Sequence, residues 1–402
     1  VAENVFLGRE TSQSFGLLNR KKMESEASRF IADHHFPLKA EWTVERLSPA
    51  QKQLVEICRA AYHGSSLLIF DEPTSSLSES ETFEVFRIVR SMRDRGMGVI
   101  YITHRLDELR SVGDQVTILR DGQTVHTCPL RELTKGELIR HMVGRELSAI
   151  YVRKPVPPGD ELLKLEGIER RGMLHDISLS IRAGEIVGMA GLVGAGRTEL
   201  CRAIFGVDPI DSGRILVAGQ ERRIRSPQDA VRAGIALIPE DRGRAGLARA
   251  LSVDHNVTLS SLSSLSRWGM LQRAAEDRVT SQFIQRMRIK CSSGSQLAGR
   301  LSGGNQQKIV IAKWLARGAR VFLFDEPTRG IDVGAKVEVF ELMDELARNG
   351  AAVLMVSSEM PELLQVADRI LVMRQGSIAG ELPGETTQED IMRLATIQEQ
   401  SA

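Results

Sequence analysis

The chain carries the same landmarks twice at a constant spacing, and this constrains its fold more than any other feature. The run from Phe70 through Asp71, Glu72 and Pro73 to Thr74 recurs, 254 residues later, from Phe324 to Thr328. Leu47-Ser48 and Leu301-Ser302 keep that spacing, as do Asp114 in GDQVTILRDG and Asp368 in ADRILVMRQG. VAENVFL from Val1 matches VDHNVTL from Val253, 252 residues on. Landmarks in one order across most of each unit mean a duplication, so the chain is read as two copies of one supersecondary plan. The second copy has 92 residues, from Glu161 to Ser252, ahead of its VDHNVTL, and the first has no counterpart. The first unit, 1–147, is therefore expected to be incomplete on its amino-terminal side. The second spans 161–402. Three prolines and a glycine in the segment from Ser148 to Asp160 suit an extended linker between them.

Composition narrows the function classes. Lys plus Arg total 53 against 52 for Asp plus Glu, which argues against general nucleic-acid binding. The four cysteines (Cys58, Cys128, Cys201, Cys291) are scattered with no CxxC pair, as expected of reduced thiols rather than a disulfide frame or zinc site. No apolar run approaches the roughly 18 residues of a membrane span, and no signal peptide is seen. Work at a membrane would need a partner to hold the protein there.

Short continuous apolar runs, LLIF (Leu67 to Phe70) and VFLF (Val321 to Phe324), suit strands buried on both faces of a parallel sheet. VIYIT and AVLMVS read as their neighbours, and SETFEVFRIVRSMRDRG as a helix between strands, which makes the class α/β. The chemistry begins at Gly191. EIVGMAGLVGAGRTELCRAIFG reads as strand, glycine loop and helix, and GLVGAGRT fits GxxxxGK[ST] at Gly191, Gly196 and Thr198, with Arg197 in the lysine position. Gly194, Ala195 and Gly196 let the backbone wrap a phosphate chain, whose charge the helix N-terminus holds. Thr198 is the expected Mg²⁺ ligand. Arginine keeps the positive charge but replaces a point charge with a planar fork. Asp325 and Glu326 end a strand, as do Asp71 and Glu72. In phosphate chemistry the first carboxylate holds Mg²⁺ and the second polarises an attacking water. LSGGNQQKIVIAKWLAR opens a helix with Ser302, Gly303 and Gly304, offering a hydroxyl and free amides to an anion. Its counterpart LSPAQKQLVEICRAA keeps Ser48 but has Pro49 and Ala50 in place of both glycines.

These motifs and their spacing resemble the ATP-binding-cassette family. The paired cassettes, GLVGAGRTEL, the PEDR segment from Pro239 and SSEMPE from Ser357 look like its ribose, galactose and xylose import ATPases. The resemblance implies two P-loop NTPase domains with helical subdomains, the first incomplete, closing face to face over ATP and Mg²⁺. It implies a place at the cytoplasmic face of the bacterial inner membrane, under permease subunits fed by a periplasmic sugar-binding protein, with the stretch from Leu251 to about Ala316 docking the permease. It also makes the two composite sites unequal. One would combine Asp71, Glu72 and His104, at the family's switch-histidine position, with Ser302, Gly303 and Gly304; its own glycine loop is not in the 402 residues. The other would combine Gly191 to Thr198, Asp325 and Glu326 with Ser48. There Arg197 replaces lysine, Ser358 stands at the histidine position, Glu240 falls where a glutamine is usual, and no aromatic lies between Glu161 and Ala190 to stack on adenine. One hydrolytic site and one slow nucleotide-binding site are expected.

Two other readings compete. A soluble cassette protein acting on ribosomes or DNA usually carries a long charged linker, zinc cysteines or a coiled coil, and none is present. A nucleotide-binding fragment without turnover would fit the lack of a first glycine loop. The arginines of ERRIRS and EDRGRAGLAR read as a solvated face.

Overall fold

Valine- and isoleucine-rich runs bounded by glycine make strands, and in the second unit they assemble as the pattern requires. The computed structural model describes all residues except 13–16, 75, 76, 78, 104, 105, 121, 144–152, 193, 332 and 397–402. The described chain forms two compact units, Val1–Leu147 and Ser148–Ala402.

The larger unit is built on a six-stranded sheet. In spatial order its strands are Ile235–Ile238, Val321–Asp325, Ala352–Val356, Ile186–Gly191, Arg369–Arg374 and Ser377–Pro383. The first five run parallel, and Ser377–Pro383 closes the edge as an antiparallel hairpin. Val321–Asp325 and Ala352–Val356 are buried at every residue, as expected of a parallel sheet covered on both faces. The earliest of these strands in the chain, Ile186–Gly191, lies in the interior of the sheet, with later strands on both sides. Its carboxyl end, and those of Ala352–Val356 and Val321–Asp325, therefore deliver three loops to one rim, where open α/β sheets place their ligands. A four-stranded antiparallel sheet of Leu174–Arg182, Glu161–Arg170, Ser212–Val217 and Gln220–Glu221 precedes and flanks the glycine loop in sequence. The helices Val253–Thr258, Arg273–Arg286 and Gly303–Arg317 pack together as a helical region.

In the smaller unit, Leu67–Asp71 pairs in parallel with Gly98–Ile102, flanked by the helices Pro49–Tyr62 and Glu79–Asp94. Here the expectation of strands buried on both faces fails. Leu67, Ile69, Ile100 and Ile102 are 46–65% exposed, whereas Val321, Leu323, Leu354 and Val356, their counterparts in the second copy, are 0–1% exposed. The reason is the size of the sheet. In the second copy the equivalent pair is flanked by further strands and covered by helices from the segment 161–252; among the described residues the first pair has neither. An antiparallel pair, Gln115–Arg120 with Gln123–Pro129, and the helix Lys135–Val143 complete this unit. All four cysteines are free thiols. No described helix is long and apolar enough to cross a membrane.

Candidate functional site

The glycine loop leaves the interior strand at Gly191, whose φ is 155° and whose missing Cβ would sit 2.5 Å from the Met373 carbonyl oxygen. Gly196, at φ 101°, caps the helix Arg197–Ile204 in the left-handed region. No side chain occupies that cap, so the first amides of the helix remain available to an anion. Ala195 is buried beneath the loop and Gly194 is open to solvent. A hollow of about 500 Å³ beside the loop is lined by Leu192, Gly194, Ala195, Met373 and Gln375.

Three loops meet at this rim. Thr198 donates its hydroxyl to Asp325 Oδ1 at 3.0 Å. Asp325 is 3% exposed, and burial pushes its pKa up to about 6, with Glu326 adding to the rise and the Thr198 bond and Arg197 opposing it. A buried carboxylate beside a hydroxyl at the start of a helix with no side-chain cap is a donor set a hard divalent cation takes, so the residues present fit Mg²⁺. Arg197 does not extend along the loop. Its Nη1 donates to the Ser357 carbonyl at 2.7 Å and its Nη2 lies 3.7 Å from Glu326 Oε1. Glu326 Oε2 accepts from the Ser358 hydroxyl at 3.1 Å. The glutamate is thus held from both sides, by a fixed cation and by the hydroxyl standing where a histidine was expected.

Both copies share one unusual backbone feature. Glu72 and Glu326 have φ of 46° and 48°, and each donates its N–H to the end of the adjacent strand, at Ile102 O (2.9 Å) and Val356 O (3.0 Å). A non-glycine residue in this region costs about 1–3 kcal/mol and persists where the surroundings impose it. Asp71 and Glu72 are exposed at the rim of the smaller unit, while Asp325 is covered by the glycine loop's helix. His104 lies outside the described residues.

A second duplicated network escaped the sequence reading. Buried Thr74 donates to Glu108 Oε1 and buried Thr328 to Glu362 Oε2, each at 2.6 Å. Glu108 also accepts from Thr103 at 3.1 Å, and Glu362 from Ser357 at 2.9 Å. In each unit a buried carboxylate therefore ties the Asp-Glu-Pro-Thr turn to the residue after the neighbouring strand. The signal was available: Glu108 and Glu362 also stand 254 apart.

The two helix starts differ. Ser48 closes a capping box. Its hydroxyl accepts from Gln51 N at 3.2 Å, and its N–H donates to Gln51 Oε1 at 3.0 Å. With proline at the first helical position, that terminus has fewer free donors. Ser302 makes no such bond to its helix backbone; among the described residues its hydroxyl accepts from the Asn305 side chain, at 2.9 Å, and the amides of Gly303 and Gly304 stay uncapped by it. Glu240 forms an ion pair with Arg329 and borders a separate cavity of about 430 Å³ with Arg242, Arg249 and Gln306. Among the described residues no hydrogen bond or ion pair joins it to Thr198, Asp325 or Glu326, although its segment leaves the sheet from the strand next to Val321–Asp325. Of the arginines of EDRGRAGLAR, Arg244 and Arg249 are exposed, as expected of a solvated face, but Arg242 is half-buried and its Nη1 and Nη2 donate to the carbonyls of Arg329 (2.9 Å) and Gly330 (3.1 Å).

Comparison with known proteins agrees with this geometry. A family model described as ABC transporter matches residues 174–329. The chain is 47% identical over 404 residues to a protein of Rubrobacter xylanophilus named ribose import ATP-binding protein RbsA 1, covering 100% of this chain and 81% of that protein. It is 43% identical over 397 residues to ribose import ATP-binding protein RbsA of Bacillus licheniformis, covering 98% and 80%. Among solved structures, a nucleotide-free ATP-binding cassette from an ABC transporter superposes with a TM-score of 0.50 at 21% identity, covering 59% of this chain and 96% of that one. That likeness concerns the fold.

Proposed function

The chain belongs to the ATP-binding-cassette family of sugar-import ATP-binding proteins, and we propose that it is the ATP-hydrolysing subunit of a monosaccharide importer at the cytoplasmic face of a bacterial plasma membrane. The observation that carries this reading is the convergence of the uncapped helix start at Gly196 with Thr198, Asp325 and Glu326 on one sheet rim.

In this reading Gly191, Gly194, Ala195 and Gly196 wrap the phosphates of ATP, and Thr198 and Asp325 hold Mg²⁺. The ion supplies charge neutralisation and fixes the phosphate oxygens. Burial keeps Asp325 out of competing water contacts, and the Thr198 bond aims its Oδ1. Glu326 is the counterpart of a water-polarising base, but Arg197 stands beside one of its carboxylate oxygens and Ser358 donates to the other, so neither oxygen is free to aim at a water. Arg197 is spent on Ser357 and Glu326 instead of on phosphate. This site binds nucleotide and turns over slowly. We infer that faster turnover belongs to the site of Asp71, Glu72 and His104, and that Ser302, Gly303 and Gly304 offer a nucleotide an open helix start. Partners are permease subunits and, through them, a periplasmic sugar-binding protein, and nucleic acid takes no part.

The test is hydrolysis in proteoliposomes holding a ribose-type permease, its sugar-binding protein and this chain extended by a first-unit glycine-loop segment, with the 402-residue chain, expected to turn over poorly, measured beside it. Mg²⁺-dependent phosphate release stimulated by sugar is expected. Release that ignores both sugar and permease would favour a soluble cassette ATPase instead.

A further inference from the structure

The arginine-rich segment after the strand Ile235–Ile238 forms a five-residue π-helical turn, Arg242–Gly246. Such turns are rare and concentrate at functional positions. This one is bolted at its far end to the helix that begins at Gly303. Lys313 is 7% exposed and donates Nζ to the Gly246 carbonyl at 2.8 Å. Burial pushes the Lys313 pKa down to about 8, so the protein keeps a costly ammonium inside to hold that carbonyl. Trp314 on the same helix donates Nε1 to Leu237 O at 2.9 Å, fixing the strand that leads into the turn. At its near end the turn presents Arg242.

Arg242 does three things at once. Its two terminal nitrogens bridge consecutive carbonyls, Arg329 and Gly330, in the loop that follows Asp325 and Glu326. Its Nη2 occupies the space a Cβ on Gly303 would fill, only 2.5 Å from that ideal position, with Gly330 O at 3.3 Å. Its Nε is buried with no hydrogen-bond partner among the described residues. Among the described residues no carboxylate is bonded to the guanidinium, and burial lowers its pKa, with the Asp241 charge opposing. A cation desolvated to hold two carbonyls is an expense that packing alone does not require.

We propose that Arg242 is a positioning residue that locks the loop Arg329–Gly330 to the helix start Ser302–Gly304, so that both are presented as one rigid edge. This rests on the reading of Ser302–Gly304 as the nucleotide-facing helix start. Gly303 is then glycine for two reasons: its amide faces the phosphate, and its missing side chain makes room for the guanidinium. Only arginine has the planar fork to span two successive carbonyls; a lysine ammonium is a single compact donor.

The experiment uses the protein assembled with its permease and sugar-binding protein, with Arg242→Met, Arg242→Lys and Arg242→Ala beside wild type. Two quantities are read: deuterium exchange of peptides covering 326–331 and 301–306, and kcat and KM for ATP. For Arg242→Met, exchange in both peptides is expected to rise about tenfold, with kcat falling about tenfold, about 1.4 kcal/mol of activation free energy, and KM holding within about twofold. Arg242→Lys, which keeps the charge and guards against a folding failure of the first variant, is expected between the two. Millimolar guanidinium is expected to restore part of the kcat of Arg242→Ala. Unchanged exchange at 326–331 in Arg242→Met would overturn the proposal. So would a raised KM with normal kcat, which would make Arg242 a nucleotide ligand. A wild type without turnover would count against the proposed function, while the exchange data would still decide the role of Arg242.

Discussion

Arg153 gives the most exacting stability test in the second unit. Its guanidinium is 8% exposed. It pairs with Asp344, and donates to Asp368 Oδ1 (3.2 Å), Asp368 Oδ2 (2.9 Å) and Gly184 O (3.0 Å). Asp368 also accepts the Ile186 N–H at 2.8 Å, so the cluster grips the base of the strand whose other end is the glycine loop. Arg153→Met fills similar volume but strands two carboxylates. Removing one partner of a buried ion pair costs about 3–5 kcal/mol. Asp344 retains Arg348 at 3.0 Å and Asp368 retains Ile186, so the low end, about 3 kcal/mol, is expected. For a unit of this size each kcal/mol moves Tm by about 2–4 °C, giving a fall of roughly 6–12 °C in the transition of the second unit. Calorimetry, with nucleotide absent, reads it. A shift under about 1 °C would show that the pair contributes nothing net. Arg153→Met combined with Asp344→Asn should recover part of the loss, because one of the stranded charges is gone.

Other outcomes follow from the same contacts. Nucleotide binding with Mg²⁺ at the second unit requires ionised Asp325; since burial holds its pKa near 6, affinity should weaken by up to about tenfold per pH unit below that value and level off above it, as titration calorimetry from pH 5 to 8 would show. The sign for stability is opposite. The folded state holds that proton to a higher pH than the unfolded chain does, so this group's contribution in the ligand-free protein falls as pH rises from about 4 to 6. Ser48→Ala should cost about 1 kcal/mol of first-unit stability through its lost capping box, whereas Ser302→Ala, which has no backbone cap to lose, should cost much less; urea midpoints distinguish them.

Much of this was legible in the chain. The 254-residue spacing exposed the repeat, and apolar runs ending in Asp-Glu marked a strand end at Asp325 and Glu326, while their grouping with Thr198 came from the resemblance to ATP-binding cassettes. Glycine and hydroxyl positions were readable because backbone chemistry dictates them. Side-chain aim was not. That Arg197 turns to Ser357 and Glu326, and that Glu240 pairs with Arg329, depends on which loops the sheet order brings together. The exposure of Leu67 and Ile69 eluded the pattern because an apolar run is the same whether or not a second layer covers it. Arg242 looked like one charge among many; only the geometry of Gly303 and Gly330 sets it apart.

The inequality of the two sites is tested most directly by phosphate-release rates for Glu72→Gln and Glu326→Gln, each made in a chain extended by a first-unit glycine-loop segment and reconstituted with permease and sugar-binding protein beside its unmutated parent. Glutamine keeps the size and hydrogen bonding of the side chain but removes the base. General-base contributions run about 10²–10⁴-fold, so Glu72→Gln should lower hydrolysis at least about a hundredfold. Glu326 is already held by Arg197 and Ser358, so Glu326→Gln should cost less than about tenfold. Equal losses would mean that the sites fire alternately as equals, and a larger loss from Glu326→Gln would place the faster site at the glycine loop of the second unit.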